Sequence, residues 1–403
     1  MNRDIDLVIV GGGAAGMSAA ISAYDDKLNI LVIESGPVLG GILNQCIHNG
    51  FGLHVFNEEL TGPEYAHRYE HMFREKKIQY LLNTTVLDIE KSDDFKIIAS
   101  SREKGLFDIT CKAVILASGC YERTRGAISL PGDRPKGILP AGSAQRYLNM
   151  EGYLVGERIF ILGSGDIGLI MARRMTLEGC QVLGVAEIMP YSNGLTRNIV
   201  QCLHDFDIPL YLSHTISNIE GKERLEAITI QEVDRFFNPK AGTEKRFEVD
   251  TLLLSVGLIP DIALFDSLKI KLDKITRSAV VNQYLESNIE GLFVCGNALH
   301  VHDLVDYVSI ESEKAGTFAK RFLLSKDFLD RYEKEMVIGE GIRYVVPQMI
   351  DFKNFNEPIE LSFRTTMKTE RGLFKLKQNQ KIIKTKKAKY ITPSEMEKMV
   401  LSR

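Results

Sequence analysis

No stretch of this 403-residue chain is apolar over the roughly 18–20 residues that crossing a bilayer requires, so no membrane span is expected. An excess of one charge is missing too. Lys and Arg number 50 against 53 Asp and Glu, a formal net charge of −3 that gives nucleic acid no electrostatic hold. Six cysteines, at 46, 111, 120, 180, 202 and 295, include no C-x-x-C pair. Neither the His/Cys spacing of a zinc site nor the Cys runs that hold iron–sulfur clusters occurs, so no metal is expected. A chain of this length needs no covalent staples, and the thiols read as reduced. Met1-Asn2-Arg3-Asp4 leads straight into a strand with no signal peptide ahead of it, which together with the thiols predicts a cytoplasmic protein.

The composition that is present, 44% hydrophobic and 26% charged, is that of a globular protein, and the length predicts two or three domains. Charge is unevenly spread. From Glu340 onward Lys and Arg outnumber Asp and Glu by about two to one, leaving a basic tail on a mildly acidic body.

The start of the chain is the most informative part. Asp6 to Val10 is a short apolar, β-branched run, the pattern of a buried parallel strand. Gly11-Gly12-Gly13-Ala14-Ala15-Gly16 follows, with Gly11, Gly13 and Gly16 in the G-x-G-x-x-G places. An Ala-rich helical stretch from Ala14 to Tyr24 comes next, then a strand from Leu28 to Ile33 closing on Glu34, 18 residues past Gly16. Each part has a task. Gly11 turns the chain tightly, Gly13 admits a pyrophosphate close to backbone, and Gly16 lets helix and strand approach. The helix N-terminus offers free N–H groups to phosphate, and Glu34 stands where a carboxylate accepts from ribose hydroxyls.

The device recurs. Arg158 to Leu162 reads as a strand and Gly163-Ser164-Gly165-Asp166-Ile167-Gly168 repeats the spacing. An amphipathic helix from Asp166 to Glu178 and a strand from Cys180 to Ala186 then close on Glu187, 19 residues past Gly168. Two such units in one chain predict two dinucleotides, FAD and a nicotinamide. A carboxylate at Glu187 suits a free 2′-hydroxyl and repels a 2′-phosphate, so NAD is expected over NADP.

With these residues in place the chain resembles the two-dinucleotide flavoproteins of the pyridine nucleotide-disulfide oxidoreductase superfamily, which include glutathione and thioredoxin reductases. Ala113 to Gly119 resembles the strand and turn that leave the flavin domain, and Asp250 to Pro260 its counterpart closing the nicotinamide domain. Gly291 to Asn297 is similar to the late strand that meets the flavin ribityl chain, except that Asn297 stands where the superfamily has Asp. A narrower resemblance rests on Gly40 to Gly52, Glu122 to Ile128, Ala141 to Gln145 and His300 to Asp306. These segments resemble the NAD/FAD-dependent subunit associated with bacterial glycerol-3-phosphate dehydrogenase, opine oxidase and hydrogen cyanide synthase systems.

The resemblance implies an α/β fold with two Rossmann-like dinucleotide-binding domains of the glutathione-reductase type and a small strand-rich C-terminal region. Residues 1–124 and 281–335 are expected to bind FAD, 125–280 to bind NAD, and 336–403 to form the basic C-terminal region. FAD contacts are expected at Gly11, Gly13, Ala14, Ala15, Gly16, Glu34, Ser35, Gly40, Gly41, Ile42, Val86, Ser118, Gly119, Gly296 and Asn297. NAD contacts are expected at Gly163, Gly165, Asp166, Ile167, Gly168, Glu187 and Gly257. The implied activity is electron exchange between a nicotinamide and FAD in a subunit of a dehydrogenase complex. Partners would be a flavoprotein or iron–sulfur subunit and a small-molecule substrate, with homo-oligomerisation left open.

Three residues are candidates for chemistry. Cys46 is either a small residue beside the cofactor or a single-Cys redox centre acting through a sulfenic acid, with His48 placed to lower its pKa. The second case would make the chain a stand-alone NADH-dependent peroxide, oxygen or coenzyme A disulfide reductase. His300 and His302, on alternate positions, serve either as acid–base groups or structurally. Arg123 and Arg125 hold anionic groups or form surface ion pairs. The basic tail is either a solvated cap or a dock for an acidic subunit, and a flavin-binding scaffold or redox sensor is the non-catalytic alternative.

Overall fold

A computed structural model describes residues 5–325, 333–351 and 357–402. The chain divides into two compact units, Met1–Cys120 with Pro260–Arg403, and Tyr121–Ile259.

In the first unit Ile5–Val10 is buried along its whole length, as a parallel strand covered on both faces must be. It pairs in parallel with Ile30–Ile33 on one side and with the second half of Gly105–Leu116 on the other. Gln79–Leu81 extends the sheet beyond Ile30–Ile33. Leu292–Val294, arriving late in the chain, adds in parallel beside Val114 to Leu116. The meander expected around residues 86–110 is the antiparallel set Thr84–Lys91, Phe95–Ser101 and the first half of Gly105–Leu116. That one strand therefore serves three partners, one antiparallel along its first half and two parallel along its second, and its burial changes from alternating to continuous between the halves.

The Ala-rich helix Ala14–Ala23 lies against the long helix Val305–Leu324. Ser18 Oγ donates to the Ser309 carbonyl at 2.8 Å, and a Cβ on Gly316 would run into the carbonyl oxygen of Ala19. Small side chains on both helices set this approach, which no bulkier pair would allow.

The second unit carries a five-stranded parallel sheet in the order Ile138–Pro140, Thr251–Leu254, Arg158–Leu162, Gln181–Glu187, Leu210–Leu212. Its inner strands Thr251–Leu254 and Arg158–Leu162 bury both faces. Ile159 and Ile161 point into one apolar cluster and Phe160 and Leu162 into the other, the period of two that a strand dictates. The hairpin region expected between Ile216 and Phe247 is a three-stranded antiparallel sheet, His214–Glu220, Ala227–Glu232 and Lys245–Glu248.

One expected boundary moves. The return from the second unit falls at Pro260 rather than Val281, because Phe265, Leu268, Ile270 and Ala279 find their burial in the first unit's core. Residues 261–280 contain no strand or α-helix, so no periodicity marked that return in the sequence. The tail also packs with the first unit rather than standing apart. Its three-stranded sheet, Ile342–Val346, Ile359–Thr365 and Glu397–Leu401, has a core of its own around Val345, Leu361 and Phe363. Tyr344 and Val346, on the opposite face of the same strand, enter the first unit's core. The Lys-rich stretch is a two-stranded ribbon, Thr369–Gln378 with Lys381–Ile391, anchored by Phe374 edge-on to Phe363 at 4.9 Å.

Candidate active site

The first glycine turn follows the central strand directly. Gly11 has φ +105°, open to glycine and costly to other residues, and a Cβ there would strike the Ala117 carbonyl at the end of the neighbouring strand. A Cβ on Gly16 would strike the Gly11 carbonyl, so helix and strand meet at backbone distance. Glu34 closes the turn: its Oε2 accepts the Gly12 N–H at 2.7 Å and its Oε1 the Gly36 N–H at 2.6 Å, with Ser35 Oγ at 3.3 Å. The loop at Gly40–Gly41 lies beside Gly13, and the Gly40 N–H donates to the Gly12 carbonyl at 2.9 Å.

The remaining residues expected at the flavin gather in the same unit. Ser118 Oγ donates to the Asp261 carbonyl at 3.1 Å, and a Cβ on Gly119 would meet nothing within 4 Å. Val86 packs half-buried on the core. Gly296 approaches Ala15 so closely that a Cβ would lie 2.8 Å from the Ala15 Cβ, and the Asn297 side-chain carbonyl accepts the His302 N–H at 3.0 Å. Val38 and Ile42 stand exposed on the loop that borders the turn. A glycine cradle at a helix N-terminus, a carboxylate set beside it and uncovered apolar side chains at its rim fit a dinucleotide.

The second unit repeats the arrangement with a difference. Gly163 has φ +97°, its N–H donates to the Ala186 carbonyl at 2.7 Å, and a Cβ there would strike Ser255. A Cβ on Gly168 would fall 2.7 Å from the Gly163 carbonyl oxygen, and the Gly168 N–H donates to Ser255 Oγ at 3.1 Å. Gly165 caps the helix Asp166–Leu177. Asp166 is a local organiser, accepting from the Leu195 N–H at 2.8 Å and Asn198 Nδ2 at 2.6 Å. Ile167 packs on the core from its first turn. Glu187 is buried and accepts three bonds: Ser164 N–H at 3.0 Å, Ser164 Oγ at 2.7 Å and Met189 N–H at 3.0 Å. Gly257 is exposed with φ +99°, its carbonyl accepting the Arg123 N–H at 3.0 Å.

Of the residues considered for chemistry, Cys46 is the least primed. Its Sγ donates to the Ile42 carbonyl at 3.3 Å and burial pushes the thiol up to about 12, so it is protonated at neutral pH. His48 Nδ1 meets the Asn49 carbonyl oxygen at 3.1 Å. His300 and His302 do lie together, ring centroids 4.4 Å apart, and both are buried on Glu311.

Sequence reading missed several residues that build the site. Ser164 was visible inside the motif but not as a partner of Glu187. Asp306, fully buried, accepts the Gly52, His54 and Val55 N–H groups at 3.1, 3.2 and 3.0 Å, tying two of the segments that carried the narrower resemblance. Glu122 ties two others, accepting the Gly142 N–H at 2.9 Å, and burial raises its carboxyl above the usual range. Arg364, from the tail, pairs with Asp303 and donates to the Val301 carbonyl at 3.1 Å. The acids Glu34 and Glu187 were readable from their spacing; the bonds these other residues make to segments distant in sequence were not.

Comparison with known proteins agrees with this geometry. Residues 5–317 match the family model described as pyridine nucleotide-disulphide oxidoreductase, and the chain belongs to that family. Members bind FAD and use NAD(P), and the chain is an oxidoreductase with the two-Rossmann-domain fold. It is 26% identical over 316 residues to sarcosine oxidase subunit alpha of Corynebacterium sp. (strain U-96), covering 73% of this chain and 31% of that protein. It is 24% identical over 276 residues to hydrogen cyanide synthase subunit HcnB of Pseudomonas protegens, covering 63% of this chain and 56% of that one. The chain thus spans less than two thirds of either relative. Among solved structures it is similar to T. acidophilum thioredoxin reductase, with TM-score 0.65 and 22% identity, covering 80% of this chain and all of that one.

Proposed function

We propose that this chain is the NAD-linked flavoprotein subunit of a multi-subunit dehydrogenase of the glycerol-3-phosphate or opine type. Electrons pass between the nicotinamide and FAD in this subunit and onward to a partner flavoprotein or iron–sulfur subunit. The observation that carries the reading is the duplicated cradle, each glycine turn with its own carboxylate bonded to the turn's backbone: Glu34 on Gly12 and Glu187 on Ser164. Two complete dinucleotide devices serve a protein that moves electrons between two carriers.

Bound FAD supplies the two-electron sink, and the chain does the rest by binding and orientation. The helix starting at Ala14 presents its N–H groups and positive end to the flavin's pyrophosphate, and the helix starting at Asp166 does the same for NAD. Glu34 and Glu187 are the carboxylates for the two adenosine riboses. The helix Val305–Leu324 packs Val308 of its first turn near Gly296, and its positive N-terminal end would favour negative charge on a flavin held there. The two relatives named above are themselves subunits, which supports the assignment to a complex. A stand-alone single-Cys reductase would need Cys46 as thiolate, which its burial opposes.

The test is anaerobic mixing of the purified chain with NADH or NADPH while the visible flavin absorbance is followed. Bleaching by NADH, faster than by NADPH at equal concentration, is the expected result. A flavin-loaded protein that neither nucleotide bleaches would overturn the reading.

A further inference from the structure

Glu311, in the second turn of Val305–Leu324, faces two imidazoles that the electron-transfer reading does not use. Its Oε1 accepts the Gly296 N–H at 2.9 Å, which turns Oε2 toward two imidazoles. His300 Nε2 stands 2.7 Å and His302 Nε2 3.3 Å from that one oxygen. One ligand atom from each of the three residues lies within 4.8 Å of the other two. The histidine side chains are 1% and 3% exposed, and Glu311 is 12% exposed. We propose that His300, His302 and Glu311 form a binding site for a first-row divalent metal ion of the zinc or ferrous class, open to a fourth ligand. This rests on these residues alone and not on the proposed electron-transfer role.

The geometry can admit an ion in place of the His300–Glu311 hydrogen bond. With Oε1 held by Gly296, both imidazoles face the one remaining oxygen, so three ligand atoms are gathered within 4.8 Å of one another. Ligands at about 2.0–2.1 Å from a tetrahedral ion stand about 3.3 Å apart. His302 already holds that separation from Glu311, and His300 needs to open by about 0.6 Å. Two histidines and one carboxylate are the donor set of open zinc sites and of non-haem ferrous sites.

Glu311 forms part of the wall of a cavity of about 270 Å³, together with Lys314, Phe318 and Ser362. The outer shell is sparse: Nδ1 of both histidines has no protein partner. Ligation through Nε2 places the imidazole proton on Nδ1, which is buried and leaves that N–H without an acceptor. Outer partners usually contribute 10–100-fold in affinity, so this site should exchange its ion with chelators rather than hold it permanently.

The test uses the full flavin-loaded chain, stripped with chelator and equilibrated by dialysis against Zn²⁺ or, anaerobically, Fe²⁺. One equivalent per chain is expected, with affinity reduced tenfold or more in Glu311→Gln and in His302→Phe, which keeps a ring in the core. Zinc X-ray absorption of the wild type should show imidazole and oxygen neighbours. Substoichiometric uptake, sulfur neighbours, or equal affinity in a folded variant would each overturn the proposal. Should neither variant fold, the wild-type stoichiometry and absorption spectrum decide it alone.

Discussion

Replacing Glu187 with Gln tests the cofactor choice with the least disturbance to the fold. Glu187 is 4% exposed and accepts three bonds, two from Ser164 on Oε2 and one from the Met189 N–H on Oε1. An amide whose oxygen faces Ser164 keeps two of these and turns a donor toward the Met189 N–H, a loss of about 1–3 kcal/mol of stability. Glu187→Arg would bury a long cation against three donors and is the poorer probe. For NAD the variant loses a charge-assisted acceptor for a ribose hydroxyl, about 1.5–3 kcal/mol or roughly 10–150-fold in affinity. For NADP it removes a repulsion of about 3 kcal/mol per unit charge, taking about 5 Å and an effective dielectric of about 20. Screening reduces that figure, and a shift in the NADH-to-NADPH ratio of about 10²-fold is the expected outcome. Stopped-flow reduction of the flavin by each nucleotide measures it, with thermal unfolding run alongside. A ratio that moves less than about threefold in a folded variant refutes the role assigned to Glu187.

Gly16→Ala should cost flavin content as well as stability, because its Cβ would displace the Gly11 carbonyl; the bound-flavin ratio of the purified variant checks this. Gly316→Ala should lower stability by about 1–3 kcal/mol in urea unfolding by forcing the two helices apart at Ala19, while leaving NAD binding intact. Cys46→Ser should leave flavin reduction by NADH within about twofold, since the thiol lies at about 12 and is protonated at neutral pH; loss of turnover would restore the single-Cys reading. Alkaline pH should destabilise the first unit through Cys111 and Cys295, whose burial raises each thiol from 9.0 to about 12. Their stabilising contribution is complete below pH 9 and is lost as the pH rises toward 12, about 1.4 kcal/mol per thiol by pH 10. A urea midpoint unchanged between pH 8 and 10 would contradict this.

The glycine turns were legible because the backbone there leaves no choice of residue: Gly11 and Gly163 need positive φ, and Gly16 and Gly168 lie where a Cβ would meet a carbonyl. The strands that follow from period and burial, such as Ile5–Val10 and Arg158–Leu162, were legible for the same reason of local constraint. Residues 260–280 were not, since their apolar side chains follow no period and find partners only in the folded core. Spacing rules also passed over His300, His302 and Glu311. Two of the three lie on an irregular segment and the third on a helix, so the cluster exists only once that segment folds back.

The bond from Asp306 to the loop at Gly52–Val55 spans about 250 residues, and that of Ser309 to Ser18 spans 291. During synthesis the early strands would therefore wait for their last neighbours. With Leu116 made, about 190 further residues must be added before Asp306 emerges, roughly 10–40 s at 5–20 residues per second. Tyr121–Ile259, complete in itself, emerges during that interval. The order of completion is thus the reverse of the order of the two glycine turns: the inserted unit can close first, and the unit begun earliest is finished last, on the helix Val305–Leu324 and the later strand that carries Tyr344 and Val346.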